Sequence, residues 1–390
     1  MKATRPEQNP HYLPPKNDGP PLHCAARLGD HEAIRKLVND GSDINQTFDL
    51  ELDPSGRCLL ATPLMVAAGS GYGANIETMQ LLLKMGADSS RKIGPRSIAR
   101  YAAAGLGWNY LPGGDAARLR FCLDLGCDAN ETDDRGVTLL ADAVATGDIG
   151  RVKVLLETGA RPNTSGVVIP TSSSSLKALG VRYRDDAPSS FQIPLHNAAE
   201  VDELEIVNAL IQAGADIYAM DKGSETALFL ARSPEVARVL VDCGLDVEAR
   251  NWLNWTPLLN AIGDGSLNGV KALLSVDANV NATTDRGYTV FMSAVSSSER
   301  NLDIMKSLVE AGANPHAVSN LGWNAFHAAI DVNGADANKE ETIRSTLELL
   351  KQLGVDINHK DVKGVSPLER AREHGTKIEV RALRELGARP

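Results

Sequence analysis

Three histidines in this chain stand in almost the same short phrase, among small apolar residues. His23 lies in PPLHCAAR, His196 in IPLHNAAE and His327 in NAFHAAID. One histidine in such a setting could act as a general acid or base, or bind a metal ion through an imidazole nitrogen. Because the whole neighbourhood recurs along the chain, the histidine belongs to a repeating unit and not to a single active site.

The repeating unit has an opening phrase similar to TPLxxAA and a closing phrase similar to LLxxGAD. Alignment on these phrases finds ten copies, most of them roughly 33 residues apart, with longer gaps where sequence is inserted. The openings centre on Leu22, Leu64, Ala99, Leu140, Leu195, Leu228, Leu258, Phe291, Phe326 and Leu368.

The fifth copy shows what each unit builds. Pro194 suits the first turn of a helix, and Leu195 and Ala199 then lie on one apolar face. A second helix is predicted at about Glu203 to Ala213, followed by Gly214 in a left-handed turn. Both helices are shorter than the ~12–15 residues that an isolated helix needs. The units must therefore stack on their neighbours as a linear solenoid.

These phrases resemble the ankyrin repeat over about residues 17–390. The best matches are TPLMVAA (Thr62–Ala68), LLKMGAD (Leu82–Asp88), IPLHNAA (Ile193–Ala199) and LIQAGAD (Leu210–Asp216). The resemblance implies an all-α repeat solenoid of stacked helix-turn-helix units with β-hairpin or turn fingers. It also implies that the three histidines are structural and donate hydrogen bonds that tie adjacent repeats together.

The predicted organisation is a polar N-terminal segment at residues 1–16 and a single solenoid at 17–390. Three copies depart from the pattern and are expected to be weaker: the third, SIARYAAAG; the sixth, with RSPEVARVL; and the seventh, which closes on Asp277. Four inserts break the period, near 47–61, 105–117, 161–192 and 331–342. The first of them is predicted to be an extended hairpin finger.

No catalytic or metal-binding grouping can be assembled from the sequence, so we expect no enzyme, no metal and no cofactor. The tract SSLK (Ser174–Lys177) matches a hydrolase motif but lacks the partner motifs. The oxygen donors between Asp331 and Glu340 have the glycine of a calcium loop too early and no glutamate at the twelfth position. An enzyme with its chemistry in an insert is the less favoured alternative.

Charge and composition limit the classes of partner that the chain is expected to bind. Lys and Arg total 40 against 50 Asp and Glu, a net charge of -10, which disfavours nucleic acid and anionic membrane surfaces. The polar, proline-rich start does not read as a secretory signal, and no stretch approaches the ~20 apolar residues of a membrane span. Five cysteines without a C-x-x-C pair indicate free thiols in a reducing compartment, so a cytoplasmic location is expected.

The resemblance implies a scaffold that binds another protein through the concave face formed by the fingers and first helices. The identity of that partner is open, and the chain is expected to be a monomer when unbound. A narrower alternative is an inhibitor or immunity-type protein that blocks a partner enzyme.

The predicted binding residues cluster on consecutive fingers. In the family, the residue before the TPL phrase points into the concave groove, and here Trp255, Tyr288 and Trp323 stand at that position. Trp, Tyr and Arg often dominate the energy of interfaces. The alternative is that these rings pack between adjacent fingers and only stiffen them. The full predicted set is Trp252, Trp255, Asp264, Arg286, Tyr288, Leu321, Trp323 and Asp331.

Overall fold

The computed structural model of the chain contains two compact units. One comprises Met1–Ile169 with Gln212–Ala215, and the other comprises Pro170–Ile211 with Asp216–Pro390. The residues that the structure describes are 19–49, 60–70, 75–94, 96–104, 115–133, 136–163, 193–297, 300–330 and 340–389.

The first unit holds repeats one to four, each a pair of short helices. A two-residue antiparallel ladder, β1 (Phe48–Asp49) with β2 (Leu60–Ala61), joins repeats one and two. The helices are α1 (Pro21–Leu28), α2 (His31–Asn39), α3 (Pro63–Gly69), α4 (Ile76–Lys84), α5 (Ile98–Ala104), α6 (Ala116–Asp124), α7 (Leu139–Ala145) and α8 (Ile149–Glu157).

The second unit holds repeats five to ten. Repeat six opens with a 3₁₀ helix at Ala227–Leu230 in place of an α-helix. The α-helices are α9 (Pro194–Glu200), α10 (Leu204–Gln212), α11 (Pro234–Asp242), α12 (Pro257–Gly263), α13 (Leu267–Leu274), α14 (Val290–Ser296), α15 (Leu302–Glu310), α16 (Ala325–Ile330), α17 (Glu340–Gln352), α18 (Pro367–His374) and α19 (Lys377–Glu385). The predicted all-α repeat fold with ten helix pairs is thereby confirmed.

The opening phrase produces the inner helix of each pair through local chemistry. In repeat two the Thr62 hydroxyl accepts a hydrogen bond from the backbone N–H of Met65 at 3.3 Å, and Pro63 occupies the first turn. All seven residues of α3 are buried, whereas α4 buries only Thr78, Met79 and Leu82. The inner helices therefore form the middle of the stack, and the outer helices have one face exposed.

Each outer helix ends in a left-handed turn, as the GAD phrase predicts. Gly214 has φ of +85°, which glycine adopts without strain. In repeat seven Asp277 takes the equivalent position with φ of +61°. An aspartate is tolerated there at a cost in conformational energy, which agrees with the expectation that this copy is weaker.

The fingers of the second unit are five-residue hairpins with one recurring pattern. In the last finger the backbone N–H of Asp361 donates to the Val365 carbonyl at 3.0 Å. The Asp361 carboxylate accepts hydrogen bonds from the N–H groups of Lys363 and Val365 at 2.8 and 2.9 Å. Asn251 and Ser319 make the same side-chain contacts in their own fingers. A polar first residue therefore fixes the direction in which the fifth residue points.

The histidines have the structural role that the family resemblance implied. The Nε2 atoms of His23, His196 and His327 lie 3.1, 2.9 and 3.0 Å from the carbonyl oxygens of Ala61, Glu225 and Val365. Each of these carbonyls belongs to the residue that precedes the N-cap of the next inner helix. Burial lowers the pKa of all three imidazoles, so they are neutral at pH 7 and donate one N–H each.

Repeat three makes the same tie with a different residue. Arg100 occupies the histidine position, and its Nη2 donates to the carbonyls of Val137 at 2.8 Å and Glu131 at 3.1 Å. The Glu131 carboxylate lies 3.8 Å from Arg100 Nε, with both side chains buried. The unusual phrase SIARYAAAG therefore preserves the junction with a charged pair, a substitution that sequence reasoning missed.

The insert boundaries needed correction at their ends. Helix α17 begins at Glu340, inside the insert predicted to run to Thr342, because acidic residues are favourable in a first helical turn. Helix α6 begins at Ala116, inside the insert predicted for 105–117. The strands β1 and β2 form the base of the predicted hairpin finger. Residues 1–16, 50–59, 105–114, 164–192 and 331–339, which include SSLK and the acidic loop, lie outside the described residues.

Candidate interaction surface

The aromatic side chains predicted from the sequence stand at the ends of three consecutive fingers in the second unit. Trp255, Tyr288 and Trp323 are each the fifth residue of a finger, and each is half-buried. Their backbone N–H groups donate to the first side chain of the same finger, Asn251, Thr284 and Ser319, at 3.0 to 3.2 Å. The hairpin pattern therefore presents a large ring at the same place in each of these repeats.

The ring of Trp255 lies against the end of its own inner helix, α12. A Cβ atom placed on Gly263 would stand 2.8 Å from Trp255 Cζ3, so the glycine leaves the space that the ring fills. Asp264, the next residue, is exposed and caps this helix. The indole and the Asp264 carboxylate therefore come from adjoining parts of one repeat.

The next two rings form a pair. The Tyr288 and Trp323 ring centroids are 5.9 Å apart at an interplanar angle of 72°. Arg370 places its Cζ 3.6 Å from the Trp323 ring centroid, and Trp323 Nε1 donates to the Asp361 carboxylate at 3.2 Å. Trp323 thus makes the packing contacts between fingers that the alternative interpretation expected.

The tips of the fingers are apolar and exposed. Leu253, Leu321 and Val362 have 40%, 42% and 68% of their surface accessible, and Trp252 is half-buried. The Val362 N–H donates to the Leu321 carbonyl at 3.1 Å, which joins two of these tips. Sequence reasoning selected Trp252 and Leu321 but missed Leu253 and Val362. The sequence feature that could have identified these two residues is an apolar side chain inside a turn-forming segment.

One finger carries a carboxylate where its neighbours carry rings. Glu225 is the fifth residue of the finger before that of Trp255, and its Oε1 accepts a hydrogen bond from Asn251 Nδ2 at 2.8 Å. Burial, with the nearby charges of Asp221 and Asp264, raises the pKa of Glu225 to about 7. Burial also raises the pKa of Asp264. A partly desolvated acidic group therefore lies beside the aromatic row.

The remaining predicted residues differ in how well the structure places them. Arg286 is an exposed finger-tip residue whose carbonyl accepts the Asn320 N–H at 3.2 Å. Asp331 lies outside the described residues, so its place on this surface stays a prediction. The other predicted residues all lie on fingers or on the end of an inner helix in the second unit.

The described residues offer little for chemistry. Among them, no group of three or more His, Cys, Asp or Glu side chains could hold a metal ion. Cys24, Cys122, Cys127 and Cys243 form no disulfide among the described residues, and burial raises the pKa of the Cys122 thiol far above its usual range. In the same parts of the chain, no helix is both long enough and apolar enough to cross a membrane.

The sequence model of the ankyrin-repeat family matches residues 6–93, 195–284 and 232–319. With helix pairs that recur along the described residues and inter-repeat ties at His23, His196 and His327, the chain belongs to the ankyrin-repeat family. Repeats of this family generally mediate protein–protein interaction and are typically non-catalytic, so proteins are the expected class of partner.

Curated relatives match this chain over part of their length. The E3 ubiquitin-protein ligase KEG of Arabidopsis thaliana is 26% identical over 72% of this chain and 18% of its own length. A B-cell lymphoma 3 protein homolog of Mus musculus is 30% identical over 45% of this chain and 37% of its own. This chain therefore spans well under half of either relative.

Solved structures of similar sequence are also ankyrin-repeat domains. The domain of Bcl-3 is 26% identical, covers 65% of this chain and all of that one, and has a TM-score of 0.44. A domain from Acinetobacter baumannii AYE is 29% identical, covers 50% of this chain and 98% of that one, and has a TM-score of 0.41.

Proposed function

We propose that this protein is a non-catalytic scaffold that binds a partner protein through the fingers and inner helices of its second unit. The observation that carries the proposal is the row Trp255, Tyr288 and Trp323, three large half-buried rings at one structural position in consecutive repeats. Rings of this kind lose little side-chain entropy on binding and provide a large contact area. The exposed tips Leu253, Leu321 and Val362 extend the apolar surface.

The test begins with recovery of a partner from native lysate by affinity capture, its identification by mass spectrometry and reconstitution from purified proteins. Single alanine variants of Trp255, Tyr288 and Trp323 are then compared in affinity and in stability to urea. For Trp255 we expect a loss of about 2 kcal/mol or more in binding free energy with an unchanged helical signal.

A matched control removes exposed apolar side chains that are not on the fingers. Leu28 and Leu125 of the first unit are 58% and 39% accessible, and their alanine variants are expected to bind the partner like the parent. Equal binding by the parent and all three aromatic variants would mean that the partner contacts another surface, and the proposal would then be abandoned.

The oligomeric state and location follow from the same proposal. We propose that the scaffold is monomeric when unbound and cytoplasmic, where thiols such as those of Cys127 and Cys243 stay reduced. Light scattering at increasing concentration tests the first point. A concentration-dependent dimer would indicate that the fingers bind a second copy.

A further inference from the structure

The geometry around Trp255 points to a specific partner chemistry. We propose that the partner contributes a basic segment, and that one of its Arg or Lys side chains lies on the Trp255 ring between the carboxylates of Glu225 and Asp264. This inference rests on the proposed function, because it names the partner class for the same surface.

The ring of Trp255 provides the platform. One part of the indole lies against Gly263, and the side chain is half-buried, so part of the ring remains open to solvent. The indole is the best aromatic side chain for binding a cation over its face. The neighbouring Trp323 already holds Arg370 at 3.6 Å from its centroid, whereas no cation stacks on Trp255 within the described residues.

The charged groups beside the Trp255 ring favour a positively charged ligand. The charged groups that shift the pKa of Glu225 are Asp221 and Asp264, and both are acidic. Arg232, the cation that acts on Asp264, already lies 3.3 Å from the Glu200 carboxylate. The field at the platform is therefore negative, and an arriving anion would be repelled.

The partly desolvated carboxylate of Glu225 favours a basic side chain of the partner over an apolar one. An apolar side chain that covered this finger would remove more water from the carboxylate without replacing it by any favourable contact. A guanidinium could stack on the indole and donate hydrogen bonds to Glu225 or Asp264 at the same time. A basic side chain therefore satisfies both features of the site.

The experiment uses the full chain and a fluorescein-labelled hexa-arginine peptide as the probe, with hexa-lysine and hexa-glutamate for comparison. Fluorescence anisotropy at low and moderate salt gives the affinities. We expect hexa-arginine to bind most tightly, hexa-lysine more weakly, and hexa-glutamate not measurably. The double variant Glu225→Gln with Asp264→Asn should bind hexa-arginine about tenfold more weakly or worse, and Trp255→Leu should also weaken it.

The control variant removes the same amount of charge at another place. Asp242 and Glu310 are exposed carboxylates at the ends of α11 and α15, and Asp242→Asn with Glu310→Gln should change the affinity less than about twofold. Equal losses in the two double variants would mean that the peptide senses only net charge, and would overturn the inference. So would full retention of binding by Trp255→Leu.

This outcome is distinguishable from failure of the proposed function. If hexa-arginine binding ignores Glu225, Asp264 and Trp255 while the purified natural partner still depends on Trp255, only the basic-segment inference fails. If the natural partner binds Trp255→Ala as tightly as the parent, the failure lies with the proposed surface. Circular dichroism of each variant, expected to match the parent, excludes unfolding as the cause.

Discussion

The two units differ at the residue that precedes the N-cap of the inner helix. In the first unit this position holds the buried Ala61 and the half-buried Val137, whereas three consecutive repeats of the second unit place Trp255, Tyr288 and Trp323 there, between Glu225 and Val365. The repeat fold therefore does not need a ring at this position. The aromatic row is an addition that the architecture tolerates, which supports a role in contact with another molecule.

The unusual residues of the first unit are a half-buried and a buried arginine that bind backbone carbonyls. Arg118 donates to the carbonyl of Ser70, and Arg151 donates to that of Ala103. These carbonyls lie at the ends of α3 and α5, beside stretches where the sequence departs from the repeat. Helix C-termini leave carbonyls without intrahelical partners, and a cation there is favourable. Departures from the repeat pattern thus supply cations to helix-end carbonyls in the first unit, and we propose that in the second unit they form a surface for a partner.

Arg300 shows that the second unit also contains a buried arginine that binds a helix-end carbonyl. Its Nη2 donates to the Ala329 carbonyl at 2.7 Å, at the end of α16, and lies 3.3 Å from the Glu379 carboxylate. Both side chains of this ion pair are almost fully buried, at 3% and 2% accessible. The contact joins repeat eight to repeat ten, 79 residues away.

The largest predicted effect comes from breaking that pair. Arg300→Met should lower the free energy of unfolding by about 3–5 kcal/mol, because it leaves a buried carboxylate and a helix-end carbonyl without their cation. Urea unfolding followed by tryptophan fluorescence measures the change. Arg344→Met provides the control, since Arg344 pairs with Glu385 on the same helix as Glu379 but its side chain is 30% accessible, so a much smaller loss is expected. Similar losses of unfolding free energy in Arg300→Met and Arg344→Met would mean that the buried contacts of Arg300 contribute no more than an ion pair at the surface.

The second prediction concerns a double variant in which a histidine replaces the Arg100–Glu131 pair at the junction of repeat three. Arg100→His alone leaves Glu131 buried, and Glu131→Ala alone leaves Arg100 buried, so each should cost about 2–4 kcal/mol. Together they recreate the pattern of repeat five, which has a histidine, His196, at the position of Arg100 and an alanine, Ala219, at the position of Glu131. The double variant should therefore recover most of the loss, with a coupling of about 2 kcal/mol or more. Additive losses would mean that Arg100 and Glu131 act independently of each other.

These junctions show how far sequence reasoning extends. The helix pairs and their turns could be predicted because each is a local phrase that recurs along the chain, and the histidine ties because their phrase occurs three times. Arg100 could not be matched to His196, because the equivalence depends on a long side chain reaching the same carbonyl. The aromatic row was found from its register, yet the Arg370 contact to Trp323 depends on side chains 47 positions apart in different repeats. Contacts of that kind need coordinates.

The third prediction tests whether Trp323 packs within the protein while Trp255 is available to a partner. Trp323 stacks on Arg370 and donates to Asp361, whereas Trp255 lies against Gly263. Trp323→Ala should therefore lower the stability of the second unit by about 2 kcal/mol, and Trp255→Ala by about 1 kcal/mol or less. Thermal and urea unfolding of both variants, beside their partner affinities, gives the comparison. If Trp255→Ala destabilises more than Trp323→Ala, the proposed division between the two rings is reversed.

The smallest effect concerns pH, at the junction where the structural histidine His196 binds the backbone carbonyl of the surface residue Glu225. Burial lowers the pKa of His196 below 6.5, so its contribution to stability is present above pH 6.5 and is lost as the pH falls through the lowered value. The pKa of Glu225 is raised from 4.5 to about 7, so its contribution is present below pH 4.5 and is lost as the pH rises to about 7. The two trends oppose each other between these limits.

Single substitutions should expose each trend. Glu225→Gln removes the carboxylate, so the free energy of unfolding should rise more steeply with pH between 5 and 7 than in the parent, and the variant should be the more stable protein above pH 7. His196→Met places there the residue of repeat two, Met65, and should leave the falling trend of Glu225. Urea unfolding at pH 5, 6, 7 and 8 tests both, followed by tryptophan fluorescence because three of the four tryptophans lie in the second unit. Parallel pH profiles for the parent and Glu225→Gln would show that this carboxylate is already well solvated, and would remove the desolvation argument for a basic partner at Trp255.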